Sequence, residues 1–269
     1  MKPTYIDGFE AFAPELAATS EGFREEFFLE LAGLEEGNFW FRSRNELILW
    51  GLGKFGGGFK SLLEVGCGTG YVLRGVKDRF REVALTGSEI STAGLVHAKK
   101  RLPGVRLIQM DAREIPFKNE FDAIGAFDVI EHIAEDELVL RQLHEALTAR
   151  GLMIITVPQH AWLWSAVDES ACHVRRYDAA DLHNKIARAG FEVLCSTSFV
   201  FGLLPGLWLS RLLHRPKKAD EHKDALDGLR LPKWLDILLT LVMKAEFFLI
   251  RTGIRFPVGG SRLVIARKK

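Results

Sequence analysis

What most constrains this chain is a rhythm that begins near residue 61. Five short apolar runs, "SLLEV" (61–65), "EVALTGS" (82–88), "VRLIQM" (105–110), "FDAIGAF" (121–127) and "LMIITV" (152–157), are separated for the most part by stretches of helical character. Runs this short and this continuously apolar suit strands covered on both faces, and strands that alternate with helices pair in parallel. One such helix is read in "AEDELVLRQLHEALTARG", with Leu138, Leu140, Leu143 and Leu147 apolar and Gly151 closing it. A helix near Ala179–Ala189, a strand "FEVLCSTSF" and a last run "SRLVIA" (261–266) continue the pattern. The expectation is an α/β fold with a doubly wound, mostly parallel sheet.

Two regions fall outside the rhythm. Residues 1–55 read as a helical cap ending in the aromatic, basic stretch "NFWFRSRNELILW", and residues 199–259 separate the last two strands. The division expected is therefore a cap (1–55), a core (56–198), a helical insertion (199–259) and a last core strand (260–269). With 48% of 269 residues hydrophobic, a substantial core is within reach. A net charge of +1 gives no global field for nucleic acid, and none is expected as a partner. Cys67, Cys172 and Cys195 are far apart and odd in number, which fits a reducing cytoplasm rather than a disulfide framework or zinc site. The start "MKPTYIDGFE" has no basic segment followed by an apolar core, so no secretion signal is expected. Val193–Ser210 runs 18 residues without a charge, near the spanning length. Ser196, Thr197, Ser198, Gly202, Pro205 and Gly206 make it read instead as strand, turn and helix.

The first run leads into a glycine turn, "SLLEVGCGTGYVL" (Ser61 to Leu73). Glycines at a strand-to-helix turn let a ligand approach backbone N–H groups closely. Gly66, Gly68 and Gly70 are spaced GxGxG, and Tyr71 stands where a dinucleotide fingerprint needs its third glycine. No Gly-Lys-Ser/Thr follows, so it is not a P-loop either.

"LLEVGCGTG" resembles motif I of the class I S-adenosylmethionine-dependent methyltransferases, and the resemblance covers roughly residues 36–198 plus the last strand. It implies a seven-stranded sheet whose last strand is antiparallel, and a turn that wraps the methionine and ribose of S-adenosylmethionine. It also implies a role for Glu89 at the ribose hydroxyls and for Asp111, with Ala112 beside it, at the adenine amino group. Phe127 ends the fourth strand in "FDAIGAFDVIEHI", which matches the family's strand and loop. Glu64 would brace the turn from below. Cys67 sits among the cofactor contacts as a small packing residue rather than a nucleophile. For Glu89 or Asp111 taken alone, an ordinary cap or loop acid is the competing reading.

Methyl transfer from a sulfonium is an in-line displacement that gains much from alignment, and a base helps where the acceptor must lose a proton. Glu131 and His132 in "FDVIEHI" fall at the sheet's C-terminal edge. His132 as base, the pair as holder of a divalent cation (as in similar quinone-pathway enzymes), and a merely structural cap are all open; no metal is assigned. A second cluster, His173, Arg175, Arg176 and Tyr177 in "HVRRYDAADL", suits an anionic acceptor group. Its alternative is ion pairing of the arginines with nearby acids, with Tyr177 packing before a helix capped at Asp178. His160 and Trp164 are candidate pocket walls. "FWFRSRNEL" resembles a segment that covers the cofactor in some family members, which would bring Arg42 or Arg44 to the methionine carboxylate while Trp40 and Phe41 exclude water. The competing reading makes those aromatics core.

In the insertion, "KWLDILLTLVMKAEFFLIRTG" is apolar except for a stripe of Asp236, Thr240, Lys244 and Arg251, and must bury most of its circumference. "FGLLPGLWLSRLLHRPKK" adds Trp208 and a basic run, and "RPKKADEHKDALDG" joins the two. A lid over a greasy acceptor pocket, a peripheral membrane contact and a dimer interface all fit. The function expected is methyl transfer from S-adenosylmethionine to a small lipophilic or anionic acceptor, on oxygen. A nicotinamide-dependent reductase, disfavoured by Tyr71, and a non-catalytic binding module are the rivals.

Overall fold

The computed structural model describes residues 2–17, 25–213 and 230–269. In chain order its strands are β1 (Thr4–Ile6), β2 (Phe9–Ala11), β3 (Ser61–Val65), β4 (Ala84–Glu89), β5 (Arg106–Gln109), β6 (Phe121–Phe127), β7 (Leu147–Pro158), β8 (Phe191–Phe199) and β9 (Ser261–Lys268). They form one sheet in the order β1-β2-β5-β4-β3-β6-β7-β9-β8. Pairing is parallel from β2 through β7 and antiparallel where β9 inserts between β7 and β8. The doubly wound sheet expected from the rhythm is present, with β9 antiparallel.

The N-terminal region is not all helical, which corrects the expected cap. β1 and β2 form a hairpin whose two-residue turn, Asp7-Gly8, has φ of 53° and 81°. That left-handed pair is what Asp-Gly accommodates in a tight hairpin. The hairpin adds two strands at the β5 edge, so the sheet has nine strands rather than seven. After it come α1 (Glu25–Leu34) and α2 (Phe39–Phe55), the latter capped by Asn38 accepting from the Trp40 N–H at 2.8 Å.

The remaining helices are α3 (Tyr71–Arg79), α4 (Thr92–Arg101), α5 (Asp136–Ala146), α6 (Ala166–Ser170), α7 (Ala179–Arg188), α8 (Leu204–Leu213) and α9 (Lys233–Thr252). Alternation along each strand divides the core between the two faces. Leu62 and Ile154 pack with Leu47, Ile48 and Leu52 of α2, Leu73 of α3 and Met243 and Phe247 of α9. Leu63 and Ile155 pack on the other face with Leu140 and Leu143 of α5 and Leu182 and Ile186 of α7. Each such fully buried aliphatic side chain contributes about 1.5–3 kcal/mol. The helix expected to close at Gly151 ends at Ala146, because Leu147 already pairs with Phe121 as the start of β7.

The linker "RPKKADEHKDALDG" lies outside the described residues, and no described helix is long and apolar enough to cross a membrane. α9 lies against α2, where Asp236 accepts the Phe39 N–H at 2.6 Å and pairs with Arg42 at 2.5 Å. Contrary to expectation, α9 leaves much of its apolar circumference exposed, while Asp236 and Thr240 of its polar stripe turn inward.

Candidate active site

The carboxyl ends of β3 to β7 open into a cavity of about 1310 Å³ that α2, α8 and α9 roof. Sheet ends of this kind are where open α/β folds bind ligands, because strand-end loops present backbone and side chains there without disturbing the core. Gly66, Gly68 and Gly70 have φ of 68°, 50° and 77°, so the turn after β3 is one that only glycine forms without strain. A side chain at Gly66 would collide with Val129 at 2.5 Å. The turn is tied to β4 by the Cys67 N–H to the Ser88 carbonyl at 2.8 Å and by the Gly68 N–H to the Glu89 carboxylate at 2.9 Å.

Gly66, Cys67, Gly68, Glu64, Glu89, Asp111, Ala112 and Phe127 all line the cavity. Gly70 does not. It lets α3 approach α4, where an added carbon would sit 2.8 Å from Leu102 and 3.1 Å from Ala98. Asp111 is buried and accepts from the backbone and guanidinium of Arg113, each at 2.8 Å. Burial pushes Glu64 up to about 8, against the pull of Arg44.

Of the two arginines proposed for the cofactor carboxylate, the structure turns Arg44 to the cavity. It lies 4.4 Å above the Trp40 ring and pairs with Asp128. Arg42 points the other way, to Asp236 and Thr240 of α9, so it fastens the insertion instead of lining the site. Trp40 and Phe41 line the cavity.

At the other pole the turn Ile130–His132 and the segment around His173 meet. Glu131 is fully buried, and among the described residues neither of its carboxylate oxygens has a hydrogen-bond partner. Burial and the neighbouring Asp128 raise its pKa well above the usual range, although Arg44 and Arg176 oppose them. Burial, then His173, pull His132 down to about 4, and its ring meets that of His173 edge-on at 4.7 Å. His173 Nδ1 lies 2.9 Å from Asp168, which leaves Nε2 facing Glu131 at 4.0 Å. Burial alone would raise the Asp168 pKa, but hydrogen bonds from His173 and Arg176 outweigh it and hold it at about 2. Arg176 reaches Asp168 at 2.7 Å while lining the cavity. Glu131, His132 and His173 offer nitrogen and oxygen atoms within 4.8 Å of one another.

Four candidate site residues do not line the cavity, and for Arg175 and Tyr177 the ion-pairing and packing alternative holds. Arg175 pairs with Asp136 at 2.6 Å and donates to the Ala134 carbonyl, outside the cavity wall. Tyr177 is buried and donates to Asp136 at 2.8 Å; burial and that acid push its pKa up. Both brace the first turn of α5, and Asp178 caps α7 by accepting from the Ala180 N–H. His160 stacks on Trp162 and Trp164 is exposed; Leu163, between them, is the residue that lines the cavity. Residues not anticipated include Asp168, Tyr71, Asp128 and Glu35, the last buried and accepting from Thr69 and Arg101 at 2.6 Å. The acid five positions before His173 was the one available signal for Asp168.

This sheet, with its glycine turn and acid-ended β4, defines the class I methyltransferase architecture, and residues 28–196 match the family model described as "Methyltransferase domain". The chain belongs to that family, whose methyl donor is S-adenosylmethionine. A "Probable S-adenosylmethionine-dependent methyltransferase" of Mycolicibacterium smegmatis is 30% identical over 166 residues, 61% of this chain and 63% of that protein. The malonyl-[acyl-carrier protein] O-methyltransferase of Halorhodospira halophila is 25% identical over 52% of each chain. The (S)-coclaurine N-methyltransferase of Papaver somniferum is 28% identical over 52% of this chain and 40% of its own. The chain spans about two-fifths to three-fifths of the length of the curated relatives it matches. Among solved structures, Haemonchus contortus phosphoethanolamine N-methyltransferase 2 with S-adenosyl-L-methionine aligns at a TM-score of 0.60 and 18% identity, over 98% of this chain and 61% of that one. That similarity speaks for the fold.

Proposed function

We propose that this chain transfers a methyl group from S-adenosylmethionine to a hydroxyl oxygen of a lipophilic small molecule. The observation that carries the reading is the Asp168–His173 pair, which fixes a ring nitrogen toward the cavity beside buried Glu131. An imidazole oriented by a buried carboxylate is a group suited to taking a proton from a hydroxyl. When bound, the cofactor supplies a methyl group on a sulfonium sulfur; the carbon–sulfur bond breaks as the bond to oxygen forms, leaving S-adenosylhomocysteine.

The chain's own residues fit that cofactor at several points. We read Glu89, at the end of β4, and Asp111, just past β5, as partners of ribose and adenine, Phe127 and Ala112 as walls, and Arg44, which lines the cavity, as the partner of the methionine carboxylate. Trp40, Phe41 and Tyr71 exclude water and suit a cation in the cavity. The proton from the acceptor goes to His173 Nε2, Asp168 stabilises the resulting imidazolium, and Arg176 holds Asp168 in place. His132, held near a pKa of 4, serves better as a wall than as the base. Leu203, Leu207, Leu235 and Leu239 supply the apolar part of the acceptor site. We read the Glu131–His132–His173 group as a proton-transfer site, and the effect of EDTA on turnover separates that reading from a cation site.

The test uses cofactor carrying a radiolabelled methyl group, incubated with the protein and a cell extract and then partitioned between solvents. Label is expected in an uncharged product in the organic phase, undiminished by EDTA. Label confined to the aqueous phase, or a product with a new fixed cationic nitrogen, overturns the reading.

A further inference from the structure

The insertion reverses the usual arrangement of an amphipathic helix. Asp236 and Thr240 of α9 turn toward α2 and are taken by Arg42, and buried Glu246 accepts the Gly202 N–H at 2.9 Å. The outward side is apolar: Trp234, Ile237, Leu238, Leu241 and Phe248 are 67, 60, 50, 58 and 67% exposed. Steps of three, four and seven residues set them in one stripe along the helix. α8 adds exposed Trp208 and Leu209. Large contiguous apolar patches on a surface mark interaction sites.

Charge indicates what covers it. From 233 to 255 the exposed charges are Lys233, Lys244, Arg251 and Arg255, all positive, while the two acids of that stretch, Asp236 and Glu246, are the ones drawn inward. A two-fold contact with a second copy would set these cations against their own kind. An anionic lipid surface complements both the cations and the tryptophan-bearing apolar stripe. We propose that α9 lies flat on an anionic lipid bilayer, its outward stripe entering the boundary between headgroups and acyl chains. Leu235 and Leu239 on the other side of the same helix line the acceptor cavity. That the acceptor passes from bilayer to cavity along α9 is a corollary, and it alone rests on the lipophilic-acceptor reading.

The experiment is co-sedimentation of the full chain with vesicles of phosphatidylcholine, alone or mixed with phosphatidylglycerol. The protein is expected to pellet with the mixed vesicles, much less with phosphatidylcholine alone, and less again as salt rises. The double variant Trp234→Ser with Leu241→Gln changes two exposed side chains, so it is expected to bind S-adenosylhomocysteine with unchanged affinity. Its partition onto mixed vesicles should drop about tenfold or more. Wild-type protein that stays in the supernatant with both vesicle types overturns the proposal, as does a variant that pellets like wild type. A wild-type dimer that the double variant splits overturns it too, since a second copy would then cover the stripe. Calorimetry with S-adenosylhomocysteine in the same preparations reports separately on the methyltransferase reading.

Discussion

Arg42 and Arg44 sit two positions apart on α2, about 200° around the helix, so when one faces the cavity the other must face away. The sequence offers both and decides for neither; what decides is α9, which lies on the Arg42 side and brings Asp236 to it. Arg175 and Arg176 divide in the same way along an extended stretch, one to Asp136 and one to Asp168. The glycine turn, Glu89 and Asp111 were legible because local backbone geometry fixes where they stand. Asp168 was not, since its value comes from His173 folding back onto it. The chemistry assigned to that pair makes a sharp demand. His173→Asn and Asp168→Asn are each expected to lower the initial rate of methyl transfer by about 10²–10³-fold, with His132→Asn lowering it less than about tenfold. S-adenosylhomocysteine affinity, measured by calorimetry, should be unchanged in all three. A His173→Asn protein that keeps near-wild-type turnover would remove the base from the mechanism.

The rhythm of buried strands and covering helices is a property of elements, and it was readable because apolar continuity and length distinguish strands from helices. Two elements were misread for physical reasons that differ. The hairpin at Thr4–Ala11 carries its Asp-Gly turn openly, but its strands are three residues long and gain their stability from β5, which no local window contains. α9 is apolar nearly all round, so its sequence gives little direction; the inward pull of Arg42 and Gly202, with Met243, Phe247 and Ile250 packed in the core, orients it. That anchoring yields a prediction at the same scale. Asp236→Ala removes acceptors for the Phe39 N–H and for Arg42, a half-buried set whose loss costs about 1–3 kcal/mol. Because α9 roofs the acceptor end of the cavity, KM for the acceptor should rise several-fold while cofactor affinity stays within about twofold. Equal losses in both would mean that α9 supports the whole cavity and not its acceptor end alone.

At the scale of the molecule, an acid is buried in the central strand of the sheet, and it ties stability to pH. Glu64 on β3 has its pKa raised from 4.5 to about 8, mainly by burial. In the unfolded chain it loses its proton near 4.5; in the folded chain it keeps it until about 8. The folded state therefore binds the extra proton between those values, and stability falls as pH rises through the interval, then levels off above it. Glu64→Gln carries the neutral shape at every pH and escapes this loss. Melting temperatures of the two ligand-free proteins should lie closest near pH 4.5 and diverge as pH rises, the variant gaining roughly 5 °C or more by pH 9. The slope of the difference is the readout, since any fixed offset from exchanging a carboxyl for an amide cancels. Parallel melting curves across the range would mean that Glu64 is ionised in the fold, with Arg44 and not burial governing it.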